Sequence, residues 1–154
     1  MTEYIRGLKA GIVSGLIFGI ANAIVASLIF WFMLESIPGE MSEGLIKVGT
    51  YILTLLIRDK IIFGIIGGVI FGLIFSIFYN KLPGSKPIVN GIATAIIYWV
   101  IFSVFIGNFS KGYYISYYGT SYGADLFIGL IMYLFWGFLL IKFWQKFGEK
   151  EKVA

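Results

Sequence analysis

The sequence predicts an all-α, polytopic membrane domain: four transmembrane helices plus one short amphipathic interfacial helix between the first and second. Three observations carry this expectation. Apolar residues make up 59% of the 154 positions, against roughly 45–50% in soluble domains. Charged residues make up only 13%, against about 25%. Finally, four apolar stretches approach or exceed the roughly 20 residues that a spanning helix needs, and the basic residues are shared unevenly between the segments that connect them. The whole chain, 1–154, reads as a single membrane domain.

The first span is expected at about 8–34, interrupted only by Lys9 near its start. At about 1.5 Å per residue it reaches roughly 40 Å, so it must tilt or project. Arg6 and Lys9 followed by Ala21-Asn22-Ala23 imitate a signal peptide with a small-residue cleavage site. The apolar run continues past that site to Leu34, which favours a retained span. Pro38 and Gly39 then mark a loop.

The next apolar stretch, 44–57, is too short to span. Its polar residues are Glu43, Lys47, Thr50, Thr54 and Arg58, at steps of four, three, four and four. That is one stripe of a helix, read as an interfacial helix at about 43–58 lying on the outer leaflet. The alternative is one long helix running straight into the second span. The second span is expected at 61–79. Arg58-Asp59-Lys60, where the chain enters it, reads as a solvated helix boundary, with a gate or latch as the alternative.

Two prolines and a glycine in 80–87 make a tight turn into a third span at 88–107. The connection to the fourth span, 124–141, carries five tyrosines: Tyr113, Tyr114, Tyr117, Tyr118 and Tyr122. They fit a headgroup-level aromatic belt, or else a surface that stacks a ligand. Asn108-Phe109-Ser110 is a glycosylation sequon.

With both termini inside, one side holds Arg6, Lys9, Lys81, Lys86, Lys142, Lys146, Lys150 and Lys152. The other holds Lys47, Arg58, Lys60 and Lys111. The positive-inside rule therefore predicts a plasma-membrane protein with cytoplasmic N- and C-termini.

Small residues recur at every fourth position in the first span: Gly7, Gly11, Gly15, Gly19, Ala23 and Ser27. The second span repeats the beat at Gly64, Gly68, Gly72 and Ser76. Positions four apart share a face, so each helix carries a groove that another backbone can enter. The beat weakens at Gly91 and Ala95 in the third span and at Gly129 and Gly137 in the fourth. An old internal duplication and convergence on small-xxx-small packing both explain it. Trp99 and Trp136 fall at mid-span, where at least one should pack on a glycine-rich face. Trp31 and Trp144 fall near span ends and read as interface anchors.

The chain has no cysteine and no histidine. This excludes a thiolate nucleophile, cysteine-bound zinc, iron–sulfur clusters and histidine-ligated haem. No catalytic residue, metal or cofactor is expected. The carboxylates Glu35, Glu40, Glu43, Asp59 and Asp125 fall outside the spans or at their ends. The absence of charge inside the expected spans argues against a proton-coupled pump.

The polar residues within spans are Ser14, Asn22, Ser27, Ser76, Thr94 and Ser103, with Asn90 near the third span's entry. Asn22 needs a partner and reads as interhelical glue. A polar cavity lined by Asn22, Thr94 and Ser103, with Lys47, Thr50 and Thr54, is the alternative. The scattered basic residues form no phosphate footprint, so nucleic acid is not an expected partner.

The first ladder (Gly7 to Gly19), the second ladder ending in Phe78-Tyr79, and Leu82-Pro83-Gly84 followed by Gly91 together resemble a family of small, uncharacterised four-span membrane proteins of bacteria and archaea. The resemblance implies the architecture and no activity or site.

The leading functional expectation is a non-catalytic, glycine-ladder-packed helical unit. Its partners would be the lipid bilayer and either further copies of itself, as a homo-oligomer, or other membrane subunits. The alternatives are a small channel or transporter with a weakly polar pore, and an enzyme that acts on lipid through carboxylates at the interface.

Overall fold

In a computed structural model, residues 3–35, 42–81, 87–102 and 122–152 are described, together with the side chains of most of them. Every described element is helical. The order is α1 (Glu3–Glu35), α2 (Ser42–Phe78), a 3-10 turn (Tyr79–Lys81), α3 (Pro87–Trp99) and α4 (Tyr122–Lys152). α3 continues as a π-turn through 100–102.

Three helices are long and apolar enough to cross a membrane: α1 over Glu3–Phe32, α2 over Gly49–Phe78 and α4 over Gly123–Gly148. The apolar stretch of α3, Pro87–Phe102, is shorter. The rest of the expected third span, 103–107, lies outside the described residues. So do the turn 82–86, most of the tyrosine-rich connection and the Asn108 sequon.

The interfacial helix expected at 43–58 and the span expected at 61–79 are joined. Ser42–Phe78 is one helix of 37 residues. The physical reason is local. No proline or glycine falls between Thr50 and Phe63, and charged side chains by themselves do not end a helix. α2 finally stops at the 3-10 turn ahead of Pro83, and α3 starts on Pro87, a residue suited to a first helical position.

α1 and α2 run antiparallel with their small residues face to face. A Cβ added at Gly7, Gly11 or Gly15 would collide with the carbonyl oxygen of Gly72, Gly68 or Gly64 respectively. The reverse holds as well. An added Cβ at Gly68 would lie 2.9 Å from the Gly15 Cα, and one at Gly72 would lie 2.8 Å from the Gly11 Cα. Backbone therefore meets backbone along this seam, a distance that no side chain permits. Ser76 closes one end, its Cβ 2.7 Å from where a Gly7 Cβ would stand.

α3 and α4 repeat the device on a smaller scale. A Cβ at Gly91 would fall 2.7 Å from the Gly137 carbonyl oxygen, and one at Gly137 would fall 2.7 Å from the Ala95 Cβ. Gly129, two four-residue steps before Gly137, is also buried.

α1 also packs on α4, using a second stripe of small and polar residues: Ala10, Ser14, Asn22 and Ala26, all buried. The core between the helices is aromatic. Phe71 of α2 stacks on Tyr98 of α3 with centroids 3.5 Å apart, and meets the Trp136 ring of α4 at a tilt, with centroids 4.4 Å apart. Trp136 stacks in turn on Phe18 of α1 at 4.5 Å. One ring from each of the four helices meets here.

Outside this core, large apolar side chains face outward along the length of each helix, among them Ile24 and Leu28 on α1 and Ile66 and Ile70 on α2. In water this surface would be insoluble. In lipid it is solvated.

Candidate functional site

The register of the α1–α2 seam locates the charged residues. The glycine pairs advance four residues at a time in opposite directions. The next step brings Gly19 against α2 at Lys60 and Ile61. An added Gly19 Cβ would sit 2.8 Å from the Lys60 carbonyl oxygen and 2.9 Å from the Ile61 Cα. Gly19 lies near the middle of the Glu3–Phe32 apolar helix. Arg58-Asp59-Lys60 is therefore not at a helix boundary, as the sequence suggested. It lies within the continuous apolar helix Gly49–Phe78, level with Gly19 of α1. The unbroken helix carries the triplet along instead of leaving it at a loop.

The three residues part ways around the helix. Lys60 is buried, with 8% of its surface exposed, and the buried Asp125 of α4 supplies the opposing charge. Arg58 and Asp59 point outward with side chains 61% and 49% exposed. They pair with each other: Arg58 Nε donates to Asp59 Oδ1 at 2.9 Å, and Nη2 approaches the same oxygen at 2.9 Å.

The α1–α4 register is set by Arg6 against Trp144 and Ser14 against Trp136. Continued toward the start of α4, it places Asp125 about one to two turns beyond Gly19. Asn22 of α1 is 1% exposed and lies between Lys60 and Asp125 in height. The result is a buried polar layer drawn from three helices, Lys60–Asn22–Asp125, with an exposed ion pair on its rim.

The other residues expected to line a cavity are placed apart from this layer. Thr94 is buried, and its hydroxyl donates to the Asn90 carbonyl oxygen at 2.7 Å. It borders a cavity of about 10 Å³ among Phe71, Tyr98, Tyr133 and Trp136, scarcely room for one water. Thr50 and Thr54 lie on the exposed side of α2, Thr54 Oγ1 donating to the Thr50 carbonyl oxygen at 2.9 Å. Lys47 and Ser103 fall outside the described side chains. Of the six, the described Asn22, Thr50, Thr54 and Thr94 are thus not brought together. Lys60 and Asp125, which were not among the six, are buried at heights on either side of Asn22 instead.

A larger groove of about 400 Å³ opens between α1 and α2 beyond the glycine seam, among Ala23, Ser27, Trp31, Leu53 and Ile57. Its lining is apolar, and the Ser27 hydroxyl is satisfied by the Ala23 carbonyl oxygen at 2.6 Å.

The tryptophans divide differently from the expected pattern. Trp136 sits over Gly67 of α2, its Cη2 3.3 Å from where a Cβ would stand. Its Nε1 donates to Ser14 Oγ at 3.2 Å, while Ser14 Oγ donates to the Gly11 carbonyl oxygen at 3.1 Å. Trp99 Nε1 donates to the Leu126 carbonyl oxygen at 3.0 Å. Trp31 is 54% exposed.

Trp144 is a correction. It was expected to anchor the interface, yet only 1% of its surface is exposed. Arg6 stacks on its ring at 4.4 Å and donates from Nε to its carbonyl oxygen at 2.6 Å. α4 extends well past the expected span end at 141, so Trp144 remains inside the bundle.

Among the described residues, no three or more acidic, cysteine or histidine side chains gather as a metal site would require. No family model matches the chain, and neither a curated protein nor a solved structure does. The chemistry of the site therefore rests on its own residues.

Proposed function

We propose that this chain is a non-catalytic integral membrane protein: a rigid helical unit that works as a subunit, associating with copies of itself or with other membrane proteins. The α1–α2 seam supports this most directly. Backbone contact over three successive glycine pairs turns two long apolar helices into one stiff hairpin. Van der Waals contact of this kind is what holds helices together where lipid offers no hydrophobic drive. The glycine faces are consumed inside the chain, so association falls to other surfaces.

In this reading α1, α2, α3 and α4 form four spans, the third reaching about 107, with both termini on the cytoplasmic side of the plasma membrane. The basic residues around Arg6, Lys81 and Lys142 then mark the inner boundary. The amphipathic stretch of about 43–58 is the outer part of α2.

Purification in native lipid, with the mass of the particle measured directly, tests the subunit reading. A particle heavier than one chain, or a stoichiometric second membrane protein, is the expected result. Labelling of single cysteines introduced at either terminus tests the orientation, and reaction from the outside would refute it.

A second reading is favoured by one observation, the buried Lys60–Asn22–Asp125 layer. Ionisable groups at this depth often mark the path of an ion or proton. A small channel or transporter would use that layer as its polar constriction. Reconstitution into liposomes with ion-sensitive dyes separates the readings: flux abolished by Asp125→Asn supports transport, and no flux above protein-free vesicles excludes it.

A further inference from the structure

The α1–α2 seam ends partway along the hairpin. Gly19 is the last glycine at which the two backbones meet, against Lys60 and Ile61. One step on, α1 still offers small residues, Ala23 and Ser27, but α2 answers with Ile57 and Leu53. Large side chains on that helix hold the two apart, and the groove of about 400 Å³ opens between them.

Its chemistry and its width both say what fits. The walls are apolar side chains, and the Ser27 hydroxyl is already bonded to the Ala23 carbonyl oxygen. A water in such a place would lack the two to four polar partners it needs. Along α1 the groove runs from Ile20 to Trp31. That is about 16 Å at 1.5 Å per residue, so the mean cross-section is about 25 Å². A helix with its side chains is about 10 Å across and needs about three times that area. A single extended hydrocarbon chain matches the width.

The rims agree with a thin occupant. Ile24, Leu28 and Trp31 form the α1 lip and are exposed on the surface that lipid solvates. On α2, Thr54 and Arg58 directly follow the lining residues Leu53 and Ile57 and are exposed. A helix laid over the groove would crowd these polar groups, whereas a chain sunk within it leaves them open.

The geometry points to a lipid-binding site: the groove holds one acyl chain of a lipid from the leaflet on the Trp31 side, laid lengthwise between α1 and α2. This rests on the membrane reading above and goes beyond it, because a chain held between two helices is a bound ligand and not a passing neighbour. An unfilled groove would leave its lining without contacts on one side. The chain supplies them where glycine no longer brings the helices together.

The test uses the full chain in vesicles of phosphatidylethanolamine and phosphatidylglycerol. A trace of the phosphatidylethanolamine carries a photoactivatable diazirine on one acyl chain. After irradiation, adducts mapped by mass spectrometry should favour Ile24, Ser27, Leu53 and Ile57 about tenfold over Ile62 and Phe127. Those two are exposed on other faces. Ile62 adjoins Ile61, and Phe127 stands as far along α4 from Trp136 as Ala23 stands along α1 from Ser14. Depth alone therefore does not separate the two sets. Equal labelling of all six positions overturns the inference and leaves an ordinary lipid-facing surface. Labelling of Ile62 and Phe127 with none in the groove also overturns it, because something other than lipid then fills the space.

Ser27→Phe and Leu53→Phe each put a ring into the groove. Both should lower the groove adducts about tenfold with helical content by circular dichroism unchanged. Ile66→Phe adds the same bulk to an exposed position half a turn round α2 from Ile57 and should change nothing. Wild-type labelling of the groove in both folded ring variants overturns the assignment, and the wild-type map decides if either misfolds. A chain that takes no adduct at any position does not sit in the bilayer, and the membrane reading falls with the site.

Discussion

Glycine at the α1–α2 seam acts through what it lacks. A Cβ at Gly15 would run into the Gly64 carbonyl oxygen and lie 2.8 Å from the Gly68 Cα, both of them backbone that cannot rotate away. Gly15→Leu or Gly68→Leu should therefore destabilise the protein by at least the upper end of the about 1–3 kcal/mol typical of overpacking. Gly123→Ala should be neutral, because nothing lies within 4 Å of its Cβ position. Thermal unfolding in detergent, followed by circular dichroism, compares the three.

Ser14 makes a subtler case. Its hydroxyl accepts from Trp136 and donates to the Gly11 carbonyl oxygen. Ser14→Ala leaves the buried indole N–H without that acceptor. A loss of about 0.6–1.7 kcal/mol is expected, the range for hydrogen bonds between membrane helices, with a shift in tryptophan emission as the local signature. The four-residue beat made the glycines legible in the sequence, because packing in lipid leaves that periodic mark. Ser14 carried no such mark, since a helical serine can satisfy itself on its own backbone. Trp144 was misleading because its nearness to a span end said nothing of how far α4 continues.

At the scale of elements, α2 departs most from what its sequence suggests. The stripe Glu43–Arg58 has true amphipathic spacing, and the charged triplet resembles a boundary. Yet nothing in 51–62 stops a helix, and the hairpin seam rewards continuity by holding Gly19 on Lys60 and Ile61. Local pattern identified the helices and their faces. Whether two neighbouring patterns form one element or two is decided by contacts from another part of the chain, which no window of sequence contains.

A single helix makes a measurable commitment. In lipid, backbone amide exchange across 55–61 should be as slow as across 64–72, with no fast-exchanging break at Arg58-Asp59-Lys60. A stretch exchanging orders of magnitude faster there would mean two helices joined by a hinge. The α3–α4 contact offers a parallel check. Gly91→Val places bulk 2.7 Å from the Gly137 carbonyl oxygen and should loosen α3 while leaving exchange protection of the α1–α2 seam unchanged.

For the molecule as a whole, the central question is why a bundle with so apolar a surface keeps Lys60 and Asp125 inside. Two charges withdrawn from water are favourable only as a pair, and breaking such a pair by removing one member commonly costs about 3–5 kcal/mol. Replacing both with apolar groups of similar size is often neutral or stabilising. Lys60→Met and Asp125→Leu should therefore each destabilise strongly. The double variant should recover most of the loss, giving a coupling energy of several kcal/mol in a thermal-unfolding double-mutant cycle. If the two single losses simply add, the residues do not depend on each other, and the polar layer is not a unit. If the double variant recovers full stability, the layer is not needed to build the bundle, and its presence must answer to a role. That variant is then the reagent for deciding between the two functional readings. A bundle that is stable and unchanged in assembly but has lost ion flux assigns the layer to transport. One that is unchanged in assembly, and shows no flux with or without the pair, leaves the protein a packing unit whose business is with its neighbours.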